Sequence, residues 1–109
     1  MGAALGWLFL VLAGALEVAF TTALKYAEGF TRLGPSVAFI VAYAGSAWLL
    51  SKAISTIPLG TAYAVWTGIG AVGTATVGIA LFGDPANAAR IFFLAVIIAG
   101  IAGLKLVSA

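Results

Sequence analysis

The chain has 109 residues, of which 64% are hydrophobic and only 7% are charged. A soluble domain of this length needs a polar surface, which so few charged residues cannot supply. The net charge of +2 is too small for the basic face of a nucleic-acid-binding protein, and the lack of Cys and His excludes disulfides and the common zinc sites. We therefore expect a membrane protein with no metal or other cofactor and no enzymatic activity.

Long stretches without charge predict four transmembrane helices. A helix needs about 20 apolar residues to cross the hydrocarbon core of a bilayer. The sequence predicts helices at roughly 4–25, 34–51, 59–82 and 88–107, joined by short loops in a single all-α domain over residues 1–109. The fourth reaches full length only if Arg90 and Lys105 lie at its ends and extend to the headgroups; a short re-entrant helix is the alternative.

The first predicted helix carries one charged residue before its end, Glu17. A carboxyl group in the hydrocarbon region is costly, so such a residue normally faces a cavity or a partner. No basic residue lies in the same apolar stretch, and Glu17 would therefore bind either a proton or a cation, but not both well. That competition is the physical basis of a proton-coupled exchanger. A protonated structural Glu, hydrogen-bonded between helices, is the alternative.

Residues one turn away from Glu17 suit an organic cation. Helical spacing places Gly14, Phe20 and Thr21 on the same face as the carboxyl group. Gly14 leaves space one turn before it, and Phe20 and Thr21 supply an aromatic ring and a hydroxyl one turn after it. An aromatic face beside a carboxylate favours cation binding.

Further aromatic and polar residues occur in the middle of the second and third predicted helices. Tyr43 and Ser46 belong to the second helix, and Tyr63 and Trp66 belong to the third. Tyr63 and Trp66 share one helical face and lie well inside their span, whereas interfacial aromatic residues belong near the ends of a span. Lining a cation pocket would explain their position, and helix packing is the alternative.

Small residues are concentrated in the third and fourth predicted helices. Gly68 and Gly70 permit either a bend in the third helix or a close approach of its neighbours. In the fourth helix, small residues repeat at the spacing of a helix-pairing face: Ala95, Ala99, Gly100, Ala102 and Gly103. Since four helices can hardly enclose a substrate and two gates, we expect a dimer that uses this face.

The basic residues are almost evenly divided between the two sides of the predicted bundle. Lys52 and Lys105 fall on one side, and Lys25, Arg32 and Arg90 fall on the other. The positive-inside rule therefore gives almost no preferred orientation. Either the chain inserts in both orientations and pairs antiparallel, or its few charges leave the orientation undefined. One half of an obligate heterodimer would be expected to show a clear bias.

Several motifs together resemble the small multidrug resistance family over nearly the whole chain. They lie at 14–18, 24–26, 29–33, 35–36 and 57–66. The resemblance implies an antiparallel homodimer in the bacterial inner membrane that exchanges protons for cations.

The resemblance also implies roles for individual residues. Glu17 matches the glutamate that binds both ligands in turn, and Tyr63 and Trp66 match residues that line the pocket. Ser46 matches a position that can hydrogen-bond the glutamate. Residues 68–70 match the bend of the third helix, and the fourth helix matches the dimerisation arm.

The subtype features are mixed. Residues 66–73, Asp84-Pro85 and 103–105 are similar to the guanidinium-exporter branch, which typically has Trp at the position of Phe20. Other positions are more similar to the quaternary-ammonium branch: Thr21-Thr22, Tyr43 and Trp48. We expect an exporter of guanidinium-type and small hydrophobic cations. A broad quaternary ammonium or multidrug exporter is the first alternative, and a non-transporting membrane assembly or heterodimer subunit is the second.

Overall fold

The structure is a computed structural model that describes residues 2–108. These residues form four helices: α1 (Ala3–Ala27), α2 (Leu33–Ala53), α3 (Leu59–Leu81) and α4 (Ala88–Val107). Each helix is long and apolar enough to cross a membrane, and no strand occurs in the described range. The expectation of an all-α chain with four apolar helices is confirmed, and the fourth is a full-length helix.

The helices are arranged as a flat layer. α1 packs against both α2 and α3, and α4 lies along α3. The Cα atoms extend over 42 × 35 × 16 Å, so the layer is thin in one direction. A thin layer has little interior, and α4 buries none of its described residues within the chain. Broad apolar faces are therefore available to lipid or to a second chain.

Glycines of α3 allow its two neighbours to approach closely. A Cβ atom on Gly73 would meet the side chain of Val18 in α1. A Cβ atom on Gly68 would instead meet Ile97 and Ile101 in α4, with its nearest contact to Ile101 at 2.8 Å. α3 is continuously helical through this region. The structure thus shows close approach at both glycines, which is one of the two explanations given for Gly68, and a bend at Gly68 and Gly70 stays a prediction.

The two ends of the layer differ in packing. A buried apolar cluster joins the first half of α1, the end of α2 and the start of α3; it consists of Leu10, Ala53, Ile57, Ala62 and Val65. The second half of α1 and the middle of α3 instead border an open groove. One end of the chain is closed by apolar side chains, and the other end is accessible.

The turn between α3 and α4 brings two charged residues to the open end. Gly83 has a φ of 70°, a left-handed conformation that glycine adopts without steric cost. It turns the chain back, so that the Asp84 N–H donates to the Gly78 carbonyl at 3.1 Å. Asn87 then caps α4 by accepting a hydrogen bond from the Arg90 N–H at 2.9 Å. Asp84 and Arg90 consequently lie together beside the groove.

Candidate functional site

The groove between α1 and α3 has a volume of about 410 Å³ and contains the membrane carboxyl group. α1 contributes Glu17 and Thr21 to its lining, and Asp84 and Arg90 line it from the turn and from the start of α4. α3 contributes a stripe of small and hydroxyl-bearing residues: Thr67, Gly70, Ala71, Thr74 and Ala75. The groove therefore contains carboxyl, guanidinium and hydroxyl groups, although it lies among apolar helices.

Gly70 makes room for the Glu17 side chain. A Cβ atom at Gly70 would overlap the Glu17 carboxyl group and its Cγ atom. The Oε1 atom of Glu17 is buried, and it has no hydrogen-bond partner among residues 2–108. A buried carboxyl oxygen without a partner is unfavourable, so it is available for a ligand that can donate a hydrogen bond. A protonated amine, a guanidinium group or a hydronium ion has this property.

Thr21 is the one other predicted pocket residue that lines this groove with Glu17. Phe20 is nearly buried on the α2 side, where its ring centroid lies 5.1 Å from that of Tyr43 and 5.7 Å from that of Phe39. The reason is helical geometry, since consecutive residues point about 100° apart. Within the chain, the helix turns Thr21 toward α3 and Phe20 toward α2, so the expected grouping of Phe20 and Tyr43 with Glu17 is not seen.

Tyr63 and Trp66 also lie outside the groove. Their ring centroids are 5.9 Å apart, and Tyr63 is 59% exposed. Gly14 is buried where a Cβ atom would meet the side chain of Ile69. A pocket-lining role for Gly14, Tyr63 and Trp66 requires a surface beyond this chain, and it stays a prediction.

Ser46 connects three helices. Its hydroxyl donates to the Ala13 carbonyl at 2.7 Å and accepts a hydrogen bond from the Trp66 indole N–H at 2.9 Å. Ser46 is fully buried. Since its one proton is directed at Ala13, Ser46 does not donate to Glu17 in this structure. In the structure, Ser46 links α2 to both α1 and α3 by hydrogen bonds.

The Ser46 contacts predict a loss of stability in Ser46→Ala. The substitution removes the bond to Ala13 and leaves the Trp66 N–H without its acceptor, which should cost about 1–3 kcal/mol. Thermal unfolding in detergent should show a lowered midpoint. Ser51→Ala is the matched control, because the exposed Ser51 hydroxyl bonds only to the Trp48 carbonyl one turn back. An equal effect of the two substitutions would contradict a linking role for Ser46.

The predicted pairing face of α4 is exposed in the chain. All five of its small residues are accessible, and a Cβ atom added at Gly100 or Gly103 would have nothing within 4 Å. α4 contacts α3 through other residues, which include Ile97 and Ile101. The pairing face is thus free to meet another helix, and its use in a dimer stays a prediction.

Six groove residues were not among the candidates from sequence: Thr67, Ala71, Thr74, Ala75, Asp84 and Arg90. The two threonines were detectable, since Thr67, Gly70, Ala71 and Thr74 follow the spacing of one helical face. Asp84 and Arg90 were not, because their position depends on the turn at Gly83.

Comparisons with known proteins agree with the resemblance found in the sequence. The model of the family described as Small Multidrug Resistance protein matches residues 5–97. A protein of Yersinia pseudotuberculosis named Guanidinium exporter is 57% identical over 104 residues, which cover 95% of this chain and 100% of the relative.

A protein of Citrobacter freundii with the same name is 55% identical over 102 residues, covering 94% of this chain and 97% of the relative. A Salmonella typhimurium relative, again named Guanidinium exporter, is 54% identical over the same coverage. These relatives are exporters by name, and none is named as an enzyme. The predicted family is therefore confirmed: the chain is a multi-pass membrane protein and belongs to the small multidrug resistance family.

Proposed function

We propose that this protein is a proton-coupled antiporter that exports guanidinium-type and small hydrophobic organic cations across the bacterial inner membrane. The observation that carries the proposal is the buried, unpartnered Oε1 atom of Glu17 in a polar groove between α1 and α3. The names of the relatives support guanidinium as the substrate class.

Exchange follows from the chemistry of one carboxyl group. Ionised Glu17 attracts a cation strongly, because the surrounding helices form a region of low dielectric. Protonation of Glu17 removes the charge and with it the main attraction for the substrate. Because proton and cation exclude each other at Glu17, a proton gradient can drive the cation in the opposite direction. The hydroxyl groups of Thr21, Thr67 and Thr74 can accept hydrogen bonds from the N–H groups of guanidinium along the groove.

An antiparallel homodimer would convert this half-site into a transport pathway. Each chain has one end closed by apolar packing and one end that opens through the groove. In an antiparallel pair, the open ends of the two chains face opposite sides of the membrane. The exposed small residues of α4 support helix pairing between the chains. The two Glu17 carboxyl groups would then share one pocket, and their titrations would be coupled.

Dual orientation can be tested directly. We expect both termini to be labelled from both sides of the membrane, because the basic residues are almost evenly divided between the two faces. The measurement is modification by an impermeant thiol reagent of single cysteines at the termini, which is possible since the chain has no Cys of its own. Labelling of each terminus from one side only would rule out the antiparallel pair.

Transport assays decide between this function and its alternatives. With purified protein in proteoliposomes, an outward proton gradient should drive uptake of guanidinium and its alkylated forms. The exposed ring of Tyr43 and the Phe at position 20 favour the second candidate, a broad exporter of quaternary ammonium compounds. Faster uptake of quaternary ammonium compounds than of guanidinium would select that candidate. No uptake of any cation would select a non-transporting membrane subunit.

A further inference from the structure

Two charged side chains lie at the mouth of the groove, and the transport scheme above does not use them. Arg90 and Asp84 form an ion pair, with 3.6 Å between Nη2 and Oδ2. Both residues line the same cavity as Glu17. The side chains are 32% and 44% exposed, respectively, so the pair is accessible from water. A cation that enters the groove from this end therefore meets Asp84 before it meets Glu17.

The ion pair is loose, and neither partner depends on it for its position. Its distance of 3.6 Å is well beyond the roughly 2.7–2.9 Å of a direct charge-assisted hydrogen bond. Arg90 is held instead by the Pro85 carbonyl, which accepts a hydrogen bond from Nη1 at 2.6 Å, and by the cap at Asn87. The backbone of Asp84 is fixed to Gly78. The Asp84 carboxylate can therefore exchange its cation without a change in the turn.

Gly78 provides the space that the Asp84 carboxylate occupies. A Cβ atom at Gly78 would meet Oδ2 of Asp84, so the absence of a side chain there makes room for the carboxylate. Asp84 also lines a second cavity of about 170 Å³, which lies toward Lys25 and shares Thr21 and Thr74 with the main groove. Two hydroxyl-bearing residues thus lie between the mouth and Glu17.

We propose that Asp84 is a second cation-binding residue, at which a guanidinium-type substrate first binds by displacing the side chain of Arg90. The proposal rests on the proposed function of this protein as a cation exporter. The Arg90 side chain ends in a guanidinium group, which presents to Asp84 the same planar set of N–H donors as the substrate. Arg90 is then an internal competitor, and the substrate passes from Asp84 to Glu17 along Thr21 and Thr74.

Single substitutions of the two partners distinguish this role from a structural ion pair. Asp84→Asn should raise the KM for guanidinium about fivefold without changing the maximal rate, the size expected for an exposed ion pair. Arg90→Gln should lower the KM, because it removes the competitor. A structural pair would behave differently: both substitutions break the same contact and should change the KM in the same direction. That result would overturn the proposal.

Glu28→Gln is the control for general surface charge. Glu28 follows α1 and lies on the same side of the bundle as Asp84, but it does not line the groove. We expect the KM of Glu28→Gln for guanidinium to equal that of the unmodified protein. A rise equal to that of Asp84→Asn would show that net surface charge, and not the position of Asp84, is responsible.

A binding measurement tests the mouth site independently of transport. In Glu17→Gln protein, titration with guanidinium should shift the NMR signal of the Arg90 Nε–H group, while the signal of Arg32 serves as the internal reference. The shift should disappear in Glu17→Gln/Asp84→Asn. If guanidinium is not transported by the unmodified protein but the Arg90 signal still shifts, the proposed function fails and the mouth site stands. If it is transported but the signal does not shift, the mouth site alone fails.

Discussion

Replacement of Glu17 by Gln should abolish proton-driven guanidinium transport, with a fall in rate of about 100-fold or more. Gln has nearly the same shape and can still accept a hydrogen bond, but it carries neither the negative charge nor a proton that can be released near neutral pH. Loss of one partner from a buried, hydrogen-bonded charge pair costs about 3 kcal/mol, which corresponds to about 100-fold. The measurement is uptake of guanidinium into proteoliposomes under an imposed proton gradient.

Two comparisons make this result specific. Glu28→Gln removes a carboxylate at an exposed position, and it should transport like the unmodified protein. Guanidinium binding to unmodified protein should weaken as the proton concentration rises, because both ligands use Glu17, whereas the residual binding of Glu17→Gln should not respond in this way. Undiminished transport by Glu17→Gln would show that another group couples the proton to the substrate.

Gly70→Ala should have the second-largest effect, since the new Cβ atom would overlap the Glu17 carboxyl group. Either Glu17 must move within the groove or α1 and α3 must separate. Overpacking of this kind costs about 1–3 kcal/mol, so guanidinium affinity should fall about tenfold or more. Competitive binding assays in detergent measure the affinity without requiring transport.

Gly60→Ala is the matched control for this substitution. Gly60 lies in the same helix, and a Cβ atom there has nothing within 4 Å. Both substitutions raise helix propensity, by about 1 kcal/mol for a Gly-to-Ala change. A loss of affinity in Gly70→Ala alone would therefore come from its contact with Glu17. Equal affinity in both variants would mean that Glu17 does not need the space at Gly70.

Glu17 could be selected from the sequence as the candidate central residue because its signal is local. A single carboxyl group in a long apolar stretch is visible without any knowledge of its neighbours, since the cost of placing it in hydrocarbon demands a polar use. The family motifs around Glu17 were visible for the same reason. Thr21 followed from helical spacing, and the structure places it in the groove with Glu17.

The surroundings of Glu17 were less predictable because helical spacing shows on which face of a helix a side chain lies, but not which neighbouring helix it contacts. Phe20 and Thr21 both lie about one turn from Glu17, and spacing alone does not separate them. They face different helices because α1 packs between α2 and α3. Ser46 illustrates the same limit, since its hydroxyl could have reached several groups and in fact joins Ala13 to Trp66.

Arg90 shows what the tertiary structure adds to a prediction from sequence. It lies in the first turn of α4, at the end of the fourth helix as the sequence predicts, and the extension of its side chain to the headgroups stays a prediction. In the structure it lines the groove and pairs with Asp84, because the left-handed turn at Gly83 and the cap at Asn87 direct the start of α4 back over the end of α3. A turn of this kind depends on a few backbone angles, which hydropathy does not report.

The sequence by itself determined the four apolar helices, the family and the choice of Glu17 as the candidate residue at the centre of the site. These properties depend on hydropathy summed over about 20 residues and on short motifs, both of which are local. Only the tertiary structure decided that the groove lies between α1 and α3, that Gly70 gives Glu17 its space, and that Asp84 and Arg90 lie at its mouth. Those relations depend on how each helix is rotated against its neighbours. Close contacts of glycines with side chains of neighbouring helices, far away in the chain, set that rotation.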